Sequence, residues 1–123
     1  MARVRYIVEY VEEAADFFVN NLGFEIEANF APAIAILGLG NLTLLVSGPK
    51  AFASLPKLDG TTPSPGGGWN RIAMDFDDLE SVVAKPKGNG VKFRNDILDG
   101  VGGKQVICED PFGNVIGLTQ PSA

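Results

Sequence analysis

Histidine is absent from this 123-residue chain, and cysteine occurs once, as Cys108. Without imidazole, His-activated nucleophiles, the usual His-containing zinc sites and the His/carboxylate iron triad are excluded. A lone thiol builds neither a thiolate metal cluster nor an internal disulfide. Basic residues are outnumbered, 10 Lys and Arg against 15 Asp and Glu, and the net charge of −5 disfavours nucleic-acid backbones and anionic membrane surfaces as partners. No apolar run approaches the roughly 18 residues needed to cross a bilayer. The N-terminal stretch has neither the apolar core nor the cleavage site of a signal peptide, so a cytoplasmic location is expected. What is present is the composition of a folded domain, 46% hydrophobic and 20% charged, at a length that suits one hydrophobic core.

Val4, Tyr6, Val8 and Tyr10 alternate with Arg3, Arg5, Ile7 and Glu9, which predicts a strand over 3–10. Val11, Ala14, Ala15, Phe18, Val19 and Leu22 then fall at helical spacing, with Glu12 and Glu13 near the helix N-terminus and Gly23 placed to end it. Residues 24–30, 33–37 and 42–47 read as three short strands, separated by Ala31-Pro32 and by Gly38-Leu39-Gly40-Asn41. Proline and glycine crowd the next stretch, predicting a linker over 49–68 with a short helical turn near Ala51 to Leu55.

The pattern then restarts. Ile72, Met74 and Phe76 alternate with Arg71, Ala73 and Asp75, and Asp77 with Glu80 resembles a capping pair ahead of a helix that Pro86 should limit. Residues 91–97, 104–109 and 114–119 supply three more strands, the last two joined by Asp110-Pro111-Phe112-Gly113, which has the residues of a type I turn. Setting Leu79 on Val11 superposes helix on helix and strand on strand at an offset of 68. The reading is a single α+β domain of two β-α-β-β-β modules, 1–48 and 69–121.

Three stretches carry a resemblance to a known group: Tyr10-Val11-Glu12-Glu13-Ala14-Ala15-Asp16-Phe17-Phe18 followed by Leu22-Gly23-Phe24; Trp69-Asn70-Arg71-Ile72-Ala73-Met74-Asp75-Phe76-Asp77-Asp78-Leu79; and Glu109-Asp110-Pro111-Phe112-Gly113-Asn114-Val115-Ile116-Gly117-Leu118. In this order and spacing they resemble the vicinal oxygen chelate superfamily of glyoxalases, bleomycin resistance proteins and extradiol dioxygenases. The resemblance implies two modules whose curved mixed sheets close into a cup that holds a ligand or metal. It also implies a metal ligand early in the first strand of each module and another in each last strand. Carried over, those positions are Arg3, Arg71, Leu44 and Gly117, and none of the four can bind a divalent cation. No metal and no cofactor are therefore expected.

With the metal positions lost, the inward faces become candidates for direct ligand binding. Arg3, Arg5 and Arg71 can grip a carboxylate or phosphate, while Trp69, Leu44, Val115 and the side-chain-free Gly117 offer apolar surface and room. The alternative is internal pairing of Arg71 with Asp75 and of Arg5 with Glu9. The first functional expectation is a metal-free protein that sequesters a small, partly apolar molecule. The second is a lyase- or isomerase-like enzyme working without a metal or with carboxylate-only ligands, with Glu9, Asp75 or Glu109 as general base. Cys108, beside Glu109 and Asp110, reads as a buried, unreactive thiol. A homodimer is expected from the open sheet edges.

Overall fold

In the first module, Tyr6 and Val8 of the initial alternation are buried together with the apolar stripe of the following helix. Strand β1 (Val4–Ile7) leads into helix α1 (Val11–Leu22), then β2 (Glu25–Phe30), β3 (Ile34–Leu39) and β4 (Leu42–Ser47). The computed structural model describes residues 2–49 and 69–122. The expected linker, with its turn at 51–55, lies outside the described residues apart from Pro49. The chain divides into two compact units, Met1–Pro65 and Gly66–Ala123.

The first sheet has the order β1-β4-β3-β2, with β1 parallel to β4 and the other neighbours antiparallel. Helix α1 ends as expected at Gly23, whose φ of 81° is the left-handed conformation that glycine adopts without a Cβ penalty. Its buried Phe18 meets Phe24 edge-on, with ring centroids 5.4 Å apart, so the residue after the cap pins the helix end to the sheet. The strand expected over 3–10 is shorter, because pairing stops where β4 stops: Val8 N donates to the carbonyl of Ser47, the last residue of β4, at 2.9 Å.

The second module repeats this plan. Strand β5 (Ile72–Asp75), helix α2 (Leu79–Gly88), β6 (Leu98–Gly100), β7 (Gly103–Glu109) and β8 (Val115–Pro121) form a sheet of order β5-β8-β7-β6, with β5 parallel to β8. Both its first strand and its helix begin 68 residues after their counterparts in the first module.

Three details differ from expectation. Asp78, not Asp77, caps α2: its carboxylate accepts from Ser81 N at 3.3 Å and from Ser81 Oγ at 2.6 Å. Pro86 does not end α2 but sits buried in its last turn, and its carbonyl is taken by the N–H groups of Asn89 and Val91. The strand expected over 91–97 is reduced to one bridge, Phe93 to Cys108, because the Asn95 side chain accepts from Ile107 N at 2.9 Å where a backbone carbonyl would continue the ladder.

Candidate functional site: the helix-free sheet faces

Each sheet carries its helix on one face, and cross-strand register decides which residues share the other. In the first sheet Val4 pairs with Leu44 and Tyr6 with Val46; Leu44, Val46, Leu37 and Ala35 are fully buried, which marks this as the face beneath α1. Leu44 therefore does not line the helix-free face, and its expected role there is corrected. Its neighbour Leu45 does, paired with Arg5. Because Ala73, the counterpart of Arg5 at the 68 offset, pairs with Gly117, the first-module counterpart of Gly117 is Leu45. In a strand a slip of one residue moves a side chain to the opposite face.

The second sheet gathers most of the expected site. Ile72, Met74, Ile116, Leu118, Val106 and Cys108 are buried on the α2 side. The helix-free face presents Arg71, Ala73 and Asp75 from β5 and its approach, Val115, Gly117 and Thr119 from β8, and Ile107 and Glu109 from β7. Arg71, Ala73 and Asp75 are exposed, whereas Val115 and Gly117 are buried. A Cβ built on Gly117 would lie 3.8 Å from Arg71 Cδ, an ordinary contact that makes the two residues neighbours.

Neither arrangement of internal pairing expected from sequence spacing describes the first contacts of these groups. Arg5 Nη1 donates to Ser47 Oγ, and Thr119 Oγ1 donates to the Asp75 carboxylate. Ser47 and Thr119 occupy matching places, opposite Ile7 and Asp75 in the two parallel strand pairs. Both hydroxyls went unnoticed in the sequence. The alternation of Thr43, Leu45 and Ser47 against Leu42, Leu44 and Val46 is the signal that separates the faces, but the apolar Leu45 hides it.

The carboxylates divide by setting. Glu109 receives Arg94 Nε at 2.8 Å and stands 3.6 Å from Lys92 Nζ; the Arg94 hydrogen bond first, and Lys92 after it, hold its pKa below the usual carboxylate value. That makes Glu109 a weak general base near neutrality. Glu9 lies beyond the end of β1 and lines a separate hollow of about 460 Å³ with Tyr10, Glu12, Pro32 and Pro49. Asp75 borders a hollow of about 600 Å³ with Asp77, Asp99, Lys104 and Gln120. Trp69 is 97% exposed, and Arg3 is exposed just before β1.

At the end of the β7–β8 hairpin, the turn at 110–113 forms as expected. Gly113 N donates to the Asp110 carbonyl at 3.3 Å, and Gly113 has φ 85°. The Asp110 side chain, 4% exposed, has its pKa raised by burial despite accepting from Phe112 N, Asn114 N and Asn114 Nδ2. Burial, with Asp110 and Glu109 adding to it, pushes the Cys108 thiol up to about 12.

The model of the Glyoxalase/Bleomycin resistance protein/Dioxygenase superfamily matches residues 1–118. The chain belongs to this superfamily. No curated protein matches it. Among solved structures, the hypothetical protein SA1046 from S. aureus superposes with a TM-score of 0.79 at 18% identity, covering 98% of this chain and 92% of that one. TnmS3, an antibiotic binding protein from Streptomyces sp. CB03234, gives 0.71 at 24% identity over 99% and 98% of the two chains. The fosfomycin resistance protein FosX from Listeria monocytogenes, whose structure is a complex with Mn(II) and a dihydroxypropylphosphonic acid, gives 0.75 at 13% over 99% and 92%. At these identities the likeness shows the shared fold.

The superfamily's metal does not fit the residues present here. The last-strand position that the resemblance assigns is Gly117, which has no side chain, and its first-module counterpart is the apolar Leu45. Arg3 and Arg71 only donate hydrogen bonds. Among the described residues, no three His, Cys, Asp or Glu side chains group closely enough to hold a metal ion.

Proposed function

We propose that this superfamily member is a metal-free small-molecule-binding protein, holding a small, partly apolar ligand against the helix-free face of its second sheet. The observation that carries the reading is the composition of that face. Exposed Ala73 and half-buried Ile107 give apolar surface over buried Val115 and Gly117, and Arg71 and the Thr119-bonded Asp75 flank it with polar groups. Pockets for small organic ligands have this make-up, a mainly apolar lining with a few placed polar groups. An antibiotic binding protein of the same fold supports the reading by analogy. Catalysis is the weaker alternative, since Glu109 is held ionised by Arg94 and Lys92 and Asp75 is engaged by Thr119.

A homodimer in the cytoplasm belongs to the same proposal. The edge strand β2 exposes Ile26 and Phe30, at 46% and 63%, which suits coverage by a second copy, and a lone buried thiol suits a reducing compartment. Among the described residues, no helix is long and apolar enough to cross a membrane.

Thermal unfolding of metal-stripped protein tests the central statement. Nickel, zinc and manganese at micromolar concentration are expected to leave the Tm unchanged, while members of a small-molecule library raise it, because binding to the folded state alone must raise apparent stability. Reproducible stabilisation by a divalent metal overturns the reading.

A further inference from the structure

We propose that the rim formed by the end of α2 and residues 91–95 is a docking edge for an extended, acidic peptide segment of a partner protein. The proposal goes beyond the small-molecule reading above and stands or falls separately from it.

Charge marks the place. Four of the 10 Lys and Arg fall within 85–94, as Lys85, Lys87, Lys92 and Arg94, and no Asp or Glu lies between Glu80 and Asp96, in a chain of net charge −5. All four are exposed. Lys85 and Lys87 stand in the last turn of α2, a place that favours cations. The carbonyls of Lys85, Pro86 and Lys87 are nevertheless taken by the N–H groups of Asn89, Gly90 and Val91, so neither ammonium is used as a cap. Among the described residues neither meets a carboxylate, and Lys87 Nζ lies 5.6 Å from the centroid of the Phe93 ring. On the other side Glu109 takes Arg94 and Lys92 together, one carboxylate against two cations. The rim therefore keeps a surplus of positive charge.

The backbone gives the rim its shape. Strand β6 pairs with β7 only from Gly103 to Gln105, so the rest of that side of β7 is bordered by 91–95. There Arg94 N donates to the carbonyl of Ile107 and Glu109 N to that of Lys92. This turns the backbone of Lys92 and Arg94 toward β7, and the N–H and C=O of Phe93, between them, outward. Phe93 bridges Cys108 on the α2 side, where Lys87 covers its ring, whereas Lys92 and Arg94 reach Glu109 on the opposite side. The cations thus straddle an open sheet edge. An added strand meets both features at once: its backbone pairs with Phe93, and its alternate side chains reach the two sides, where carboxylates match the ammonium and guanidinium groups. A nucleic-acid strand fits less well, since its phosphates cannot donate to the outward carbonyl and a chain of net charge −5 repels it.

The test uses a fluorescein-labelled peptide of alternating Glu and Thr, read by anisotropy and by amide NMR titration at low salt. It is expected to bind with shifts centred on 85–95, Ile107 and Glu109, about tenfold more tightly than a Lys/Thr peptide, and more weakly as salt rises. The same peptide with proline at its central positions, which cannot donate along a strand, is expected to lose about fivefold. Lys85→Gln combined with Lys87→Gln is expected to weaken binding about fivefold and Lys92→Gln about threefold, while Lys104→Gln, whose ammonium is paired with Glu80 away from the rim, stays within about twofold of wild type. Lys85, Lys87 and Lys92 are exposed, so little change in Tm is expected; should the double variant fold poorly, Lys92→Gln and the proline peptide decide. Undiminished binding in the double variant or of the proline peptide overturns the proposal, as do shifts mapped elsewhere or no binding at millimolar peptide. A single-stranded oligonucleotide of equal length that binds the rim more tightly than the Glu/Thr peptide overturns it as well. None of these results bears on the Tm response to the small-molecule library, so the two readings fail separately.

Discussion

Replacing Asp110 by alanine probes how the turn before β8 holds Gly117 and Val115 in register. Asp110 is 4% exposed, and its carboxylate accepts Phe112 N at 2.9 Å and Asn114 N at 2.8 Å through Oδ1, and Asn114 Nδ2 at 2.8 Å through Oδ2. Hydrogen bonds to a charged acceptor contribute about 1.5–3 kcal/mol each. Two effects reduce the sum: burial penalises the carboxylate, as its raised pKa records, and half-buried Phe112 and Asn114 can regain water. The expected loss for Asp110→Ala is about 2–4 kcal/mol. Asp110→Asn keeps an oxygen for the two backbone donors and sheds the desolvation cost, but turns an amide toward Asn114 Nδ2, so it should cost about 1 kcal/mol. Urea unfolding followed by circular dichroism reads both as a lower midpoint at unchanged slope, with a Tm fall of roughly 10 °C for the alanine variant. A loss below about 0.5 kcal/mol for Asp110→Ala, or equal losses for the two variants, refutes the reasoning.

Two further outcomes are expected. With its thiol pushed up to about 12, Cys108 is almost wholly protonated at pH 8 and should resist iodoacetamide in the native protein while labelling fully in urea; fast native labelling contradicts its burial. Glu109 has a lowered folded pKa, so its contribution is fully present above the unfolded value of about 4.3 and is lost as pH falls through the folded one. The stability gap between wild type and Glu109→Gln should therefore close on acidification from pH 6 toward pH 2, and a constant gap across that range counts against the Arg94–Glu109–Lys92 cluster.

Local signals determined much of this protein from sequence alone. The 3.6-residue stripe of Val11 to Leu22 and Gly23 after it fix a helix and its end, because both depend on nearest-neighbour geometry. The offset of 68 between the modules was legible for the same reason, as was the 110–113 turn. Tertiary structure decided what depends on a partner strand. Leu44 and Leu45 are adjacent and chemically identical, and only pairing with Val4 and Arg5 shows which one lies under α1. Pro86 stays helical because its ring is buried and later N–H groups take its carbonyl, and 91–97 fails as a strand because Asn95 intercepts Ile107 N. Likewise, nothing in the spacing of Arg71 and Gly117 reveals that they are neighbours. Residues 46 positions apart come together only because β5 runs parallel to β8, and a parallel pair is joined through the long crossover that local patterns cannot register.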